Sequence, residues 1–323
     1  MTKAVGDDET IRMIVGMSRA GTSSMVNALN LRGDTIAFGE TGFWGVPKMI
    51  DNTPLPRKGL ERLRQIYSGV GMTSLKTGEA GLDTDEVRIT ISNAIATQNN
   101  NRKPSDVFRA IGASMARLSG RQYWVEKTPF HMMYADKVIE FYKDVRIIVC
   151  IRNPEGFLKS YKHQGDRKRE TVRKNFQSLY HPAIASFICS RYYKKAVELQ
   201  SKFPEQILVL RLEDTIKSPK ATMRLVGQHL KLPKAETYEY PKSNSSFTPN
   251  NITQSLAPID MFWLRLFMKS TSKRLDYNTS ESRVSMVTIL GSVFHLIVWP
   301  FKNLRLLQSQ SRNILSLFKR WFS

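Results

Sequence analysis

Two short segments carry residue types suited to gripping phosphate. The first is Gly16-Met17-Ser18-Arg19-Ala20-Gly21-Thr22-Ser23, continued by Ser24. An apolar run, 11–17, leads into it, and a segment with helical spacing, 25–31, leaves it. A small-residue loop between strand and helix lets main-chain N–H groups converge on an anion at the helix start. The spacing is that of the loop G-x-x-x-x-G-K-[ST], but Thr22 stands where that motif has lysine. That lysine reaches the β- and γ-phosphates of a nucleoside triphosphate, so its loss argues against ATP hydrolysis. Arg19, inside the loop, supplies a cation instead. The second segment runs from Arg146 through an apolar strand to Arg152, with Pro154 in the first turn of the following helix and Ser160 further along it. A cation at a strand end and a hydroxyl on the next helix can grip one phosphate together. The bland alternatives are a strand–turn–helix corner for the first segment and a structural ion pair for Arg152. Used jointly, the two segments call for a ligand with two separate anionic groups.

The elements that must position these residues alternate in type. Strands are expected at 11–17, 34–40, 122–129, 145–154 and 206–214. Helices are expected at 85–98, 106–120, 131–142, 154–164 and 220–232, and a loop at 52–59. Strands alternating with helices predict an α/β fold with a P-loop-like parallel sheet flanked by helices. The polar stretch 243–251 closes this part, giving a catalytic domain over 1–257 and a basic helical tail over 258–323.

The chain of 323 residues carries 49 Lys and Arg against 28 Asp and Glu, a formal charge of +21, and 41% of it is apolar. A disordered chain is excluded by that apolar content. A disulfide scaffold is excluded by a count of two cysteines, Cys150 and Cys189, both in apolar runs. No CxxC or CxxH pair occurs, and no metal site is expected. No apolar run precedes Ile11, so neither a signal peptide nor an N-terminal anchor is expected, and the chemistry is expected in a reducing, cytoplasmic space. The charge excess implies anionic partners. Residues 284–301 lack Asp, Glu, Lys and Arg, a length that barely matches a bilayer core. Beyond them, Leu304, Leu307, Ile314, Leu315, Phe318 and Trp321 fall near one helical face, with Arg305, Arg312, Lys319 and Arg320 between. Such a tail is expected to lie on an anionic membrane surface, the alternative being a helix packed on the domain.

The loop "SRAGTSS", the segment "EKTP" (126–129), "RIIVCIRNPEGFLKS" (146–160) and "ILVLRLEDTIKSPKATMRLVGQHLKLP" (207–233) together resemble the sulfotransferases that use 3'-phosphoadenosine 5'-phosphosulfate, PAPS. The arrangement is closer to the tyrosylprotein and carbohydrate branches of that family than to the small-molecule cytosolic branch. The resemblance implies that Arg19, Ala20, Gly21, Thr22, Ser23 and Ser24 hold the 5' end of PAPS, and that Arg152 and Ser160 hold its 3'-phosphate. It implies a catalytic base at Glu40, which follows Arg19 by 21 residues, with His131 as the alternative base. Arg19 and Lys127 are then the cations that stabilise charge on the departing oxygen of 3',5'-ADP. Asn244, Ser245 and Ser246 are implied to close over the nucleotide. The bland roles are a surface ion pair for Glu40, a solvated edge pair for Glu126 with Lys127, and a helix-surface position for His131. The basic run 166–174 reads as a solvated helix face or as a contact for an acidic acceptor. The implied activity moves a sulfuryl group to a hydroxyl or amine of an acceptor of unread class, such as a glycan or lipid-linked molecule. The competing readings are a P-loop nucleotide kinase or NTPase and a non-catalytic basic membrane-binding protein; nucleic acid is not an expected partner.

Overall fold

A computed structural model describes residues 9–304 apart from 47, 69–81, 100, 167, 236–238, 241–254, 270, 272, 276 and 278–282. Five strands, β1 (Ile11–Gly16), β2 (Thr35–Gly39), β3 (Tyr123–Lys127), β4 (Val145–Ile151) and β5 (Ile207–Arg211), form one parallel sheet in the order β2-β3-β1-β4-β5. Every residue of β1 and β2 is buried. Parallel strands covered on both faces read as continuous apolar runs, which is why these segments stood out in the sequence. The helices are α1 (Thr22–Asn30), α2 (Arg57–Ser68), α3 (Thr84–Ala96), α4 (Pro104–Leu118), α5 (Ala135–Phe141), α6 (Pro154–Lys162), α7 (Glu170–Leu179), α8 (Pro182–Lys202), α9 (Leu212–Lys217), α10 (Pro219–His229), α11 (Pro258–Met268) and α12 (Met286–Lys302).

The expected strands and helices form in outline, with differences. Leu212–Asp214, expected in a strand, open α9, residues 131–134 lie in a 3-10 turn ahead of α5, and α8 forms where no element was expected. A further difference falls in the 52–59 segment. Arg57–Gly59 open α2 instead of continuing a loop. Leu60, Leu63 and Tyr67 are the buried stripe of that helix, and the charged residues between them hid its periodicity. Start signals behave as their chemistry requires: Asp83 accepts from the Asp85 and Glu86 N–H groups at the head of α3, and Pro104 occupies the first turn of α4.

The chain packs into two compact units. One comprises Met1–Ile151 with Leu199–Lys242 and holds the whole sheet; the other comprises Arg152–Glu198 with Ser243–Ser323. The packing therefore divides at 151/152, 198/199 and 242/243, the last at the start of the polar stretch 243–251. Of the tail, α12 is described as far as Leu304, and the expected basic helix over 305–323 lies outside the described residues.

Inside the sheet unit, β1 contains a fully buried arginine. Arg12 donates from Nε to the Leu230 carbonyl at 2.6 Å, and from its terminal nitrogens to the Thr10 and Lys231 carbonyls. Its guanidinium also lies 5.2 Å from the centroid of the Tyr123 ring. Leu230 caps the C-terminus of α10, where carbonyls lack helical donors and a cation is favoured. One buried charge thus fastens α10 to the centre of the sheet. Arg12→Ala should lower unfolding stability by about 2 kcal/mol or more, because a buried carbonyl loses a charged donor; urea denaturation measures it.

Candidate active site

Parallel strands end on one edge, and the loops that leave that edge carry the candidate residues. β1 ends at Gly16, where a Cβ would stand 2.1 Å from the Cys150 carbonyl oxygen, so only glycine allows β4 to run this close. The loop 17–21 follows. Its tip, Arg19, is an exposed non-glycine residue held at φ 69, in the left-handed region. That conformation costs on the order of 1 kcal/mol, and such outliers gather at functional sites. Gly21 caps α1 without a side chain, and the first turn of α1 holds no acidic residue. Thr22, in the motif's lysine position, is buried, and Ser23 and Ser24 are half-buried. The loop therefore offers a helix N-terminus, two hydroxyls and one cation.

Two strands away, Glu40 follows the last residue of β2. Lys127 ends β3, its register partner on β2 is Gly39, and on β1 it is Ile14. A Cβ on Gly39 would meet the Lys127 carbonyl oxygen at 2.2 Å, so the glycine brings the two strand ends together. Lys127 Nζ donates to Glu40 Oε1 at 2.9 Å. The lysine side chain is wholly buried, and the glutamate is 23% exposed. Lys127 is thus brought to Glu40 and holds it from beneath, while the carboxylate keeps a solvent-facing surface.

Beneath this pair lies a buried carboxylate whose part the sequence reading missed. Glu126 Oε1 accepts from the Thr41 N–H at 3.2 Å, the Thr41 hydroxyl at 2.7 Å and the Thr128 hydroxyl at 2.5 Å. Its Oε2 faces His131 Nδ1 at 3.2 Å. The Trp44 N–H donates to His131 Nε2, so Nε2 carries no proton and Nδ1–H is the donor to Glu126. Tyr67 donates to the Thr41 carbonyl at 3.0 Å. Burial acts to raise the Glu126 pKa, but His131 and the Thr128 and Thr41 hydroxyls outweigh it and hold the carboxyl below its usual value. Neither the solvated edge pair for Glu126 and Lys127 nor the surface position for His131 is what the chain adopts: all three side chains are 0% exposed. His131 spends both ring nitrogens inside the protein, fixing the 40–44 segment. Phe43 and Trp44 complete the anchor by packing on Phe108, with ring centroids 5.3 and 5.2 Å away.

Tyr240, distant in sequence, was also missed. Its hydroxyl bonds the Ser24 side chain and lies 3.6 Å from where a Cβ on Gly21 would stand. Burial pushes its pKa up to about 12. Cys150 on β4 is buried and its thiol is pushed up to about 12, which leaves it inert.

In the second unit, Arg152 directly follows β4 and precedes α6. Asn153 caps α6, accepting from the Glu155 and Gly156 N–H groups at 2.9 and 3.2 Å. Arg152 Nε lies 3.0 Å from where a Cβ on Gly156 would stand, so the guanidinium rests against the bare first turn. Gly156 and Ser160 are four residues apart and share that face of the helix. The structure therefore brings Arg152 and Ser160 to one face, and Gly156 is the residue that makes room for it. Ser160 is almost wholly buried. Asn244, Ser245 and Ser246 lie outside the described residues, as does Arg167 within the basic run; the rest of that run leads into α7, whose residues 170–175 are exposed.

Known proteins share this architecture. The sulfotransferase family model matches residues 13–236. The sulfotransferase domain of the Synechococcus PCC 7002 olefin synthase has a TM-score of 0.52 and 14% identity, over 85% of this chain and 98% of that one. The sulfotransferase domain from the curacin biosynthetic pathway has a TM-score of 0.51 and 14% identity, over 84% of this chain and 99% of that one. At this identity the two structures speak for the fold. A comparison with curated proteins found no match. The chain belongs to the sulfotransferase family, a family of transferases.

The buried carboxylate makes two measurable differences. Glu126→Ala should cost about 3 kcal/mol or more, because the buried groups that donate to it lose their acceptor; chemical denaturation reads this. Since the folded-state pKa of Glu126 is lowered, its contribution is present at neutral pH and is lost as pH falls through the carboxylate range. The gap in stability between wild type and Glu126→Ala should therefore narrow on acidification below about pH 4.

Proposed function

We propose that the protein moves the sulfuryl group of PAPS to a hydroxyl or amine of an acceptor, leaving 3',5'-ADP, with Glu40 as the base. The observation that carries this reading is the Glu40–Lys127 pair: a partly exposed carboxylate held at 2.9 Å by a buried ammonium, on the sheet edge where loop 17–21 also emerges. The residues present suit a nucleotide with separate anionic groups. Loop 17–21 and the acid-free first turn of α1 suit one phosphate, and Arg152 against Gly156, on the face that carries Ser160, suits another. When bound, PAPS supplies the activated sulfuryl group.

The chain's own groups have distinct tasks. Glu40 takes the acceptor proton as the new bond to sulfur forms. Arg19, with the α1 N-terminus, stabilises the charge that stays on the 5'-phosphate oxygen as the old bond to sulfur breaks. Lys127 acts through Glu40 by fixing its carboxylate, which makes it a positioning residue. His131, with both ring nitrogens engaged, supports the 40–44 segment and leaves the base role to Glu40. Ser23 and Ser24 hold the 5' end, and Arg152 and Ser160 hold the 3'-phosphate. The reading extends to a reducing, cytoplasmic setting; Cys150 and Cys189, both free and buried, are compatible with it. The acceptor class, glycan or lipid-linked molecule among others, is best sought by incubation with sulfur-labelled PAPS and fractionated cell glycans, lipids and proteins.

Adding 3',5'-ADP should raise the melting temperature of the wild type, and Arg152→Ala should abolish that rise. Glu40→Gln should keep the rise but lower kcat by about 10²–10⁴. A Glu40→Gln variant with undiminished turnover, or stabilisation by ATP and magnesium with none by 3',5'-ADP, would overturn the reading.

A further inference from the structure

Helix α12 shows the reverse of the pattern expected of a helix in water. Its docked stripe carries polar groups. Ser292 Oγ accepts from Trp263 Nε1 of α11 at 2.9 Å, and the Ser292 carbonyl lies 3.3 Å from His181 Nε2. His295 stacks on His181 with ring centroids 5.5 Å apart. Asn303 donates to the Ser178 carbonyl at 3.2 Å and accepts from the Ser178 hydroxyl at 2.6 Å. Trp299, between them, is buried.

The other side is apolar and bare. Met286, Leu290, Phe294, Ile297, Phe301 and Leu304 follow one another at spacings of three or four residues and are 53–78% exposed, and Val287 beside them is 80% exposed. Residues three and four apart line one helix face, so this is a continuous stripe along a helix of 17 residues, about 25 Å long. An uninterrupted apolar patch of this kind marks an interaction site, whereas scattered exposed apolar residues would not.

We infer that α12 lies in the plane of an anionic phospholipid surface, with this stripe sunk among the acyl chains and its polar stripe kept on the protein. Length, docking and charge select this occupant. No helix among the described residues is long and apolar enough to cross a membrane, and one side of α12 is already committed to Trp263, His181 and Ser178. The helix holds no acidic residue, and its one lysine, Lys302, is in the last turn. Arg283 precedes it, and Arg305, Arg312, Lys319 and Arg320 follow with no acidic residue among 303–323. The neighbour at its C-terminal end, α7, which contributes Ser178, exposes Arg173 and Lys174; Lys174 pairs with Glu170 at 2.8 Å. Apolar side chains facing outward beside a basic rim are the features of a helix held at an anionic lipid interface. The inference does not rest on the proposed reaction.

A single new thiol tests it, because the two native cysteines are buried and inert. Leu290→Cys, labelled with an environment-sensitive fluorophore in the full-length chain, should be readily modified in buffer. Its emission should shift to the blue on mixed phosphatidylglycerol–phosphatidylcholine vesicles and change far less on pure phosphatidylcholine. Flotation of unlabelled protein with the mixed vesicles should weaken as salt rises. The pair Leu290→Ser and Phe294→Ser should weaken it by at least about tenfold with no change in melting temperature, since both side chains are exposed. Val287→Ser with Phe301→Ser provides a second variant at independent positions. Absence of wild-type flotation, or undiminished flotation of both double variants, would sink the inference. A thiol at position 290 already shielded in buffer would also overturn it: shielding that grows with protein concentration would identify a second copy as the occupant, and concentration-independent shielding would identify residues 305–323.

Discussion

Glu126 is a carboxylate with no access to water, and the geometry of the 40–44 segment depends on it. Removing a charge from water is tolerated only when donors surround it. Here the donors are the main chain and hydroxyl of Thr41, the hydroxyl of Thr128 and the ring of His131. Each of these lies either within five residues of Glu126 or on the residue next to Glu40, so satisfying the charge also fixes where Glu40 can stand. Lys127, the adjacent residue, then meets Glu40 directly. Alternation along β3 gives neighbouring residues opposite directions, so Glu126 meets Thr41 and His131 while Lys127 meets Glu40.

The sheet adds a second constraint. β1 and β4 approach so closely at Gly16 that no side chain fits, and β2 approaches β3 equally closely at Gly39. These contacts put the strand ends, and therefore the loops that leave them, into a fixed order along one edge. The left-handed conformation of Arg19 belongs to the same logic. A strained loop residue persists only where its surroundings over-determine it, and loop 17–21 is pinned on both sides, by β1 and by α1 under Tyr240.

The second unit builds with different means. α6 begins with an Asn153 cap and a glycine in its first turn, which together leave a flat face for the Arg152 guanidinium. α12 is held by buried Trp299 together with hydrogen bonds at Ser292 and Asn303 and a stacked histidine pair. The polar groups on this seam leave Met286, Leu290, Phe294, Ile297 and Phe301 for the outer face.

The order of the strands and of most helices, the phosphate-type loop at 16–24, the arginine after β4 and the family itself were legible in the chain, because period, turn residues and local motifs are properties of neighbours in sequence. α2 was not, since its charged residues obscured a narrow buried stripe. The identity of the groups around Glu40 was only half legible. Lys127 could be picked out by its motif, but Glu126 next to it read as a solvated charge, and its burial depends on Thr41 and His131 closing over it. Tyr240 on Ser24 and Gly156 beneath Arg152 were invisible for the same reason. Sequence by itself determined which segments become strands and helices and which residue types reach the edge of the sheet. Tertiary structure alone decided which of those residues are withdrawn from water, because burial and hydrogen-bond partnership are set by elements that meet only after folding.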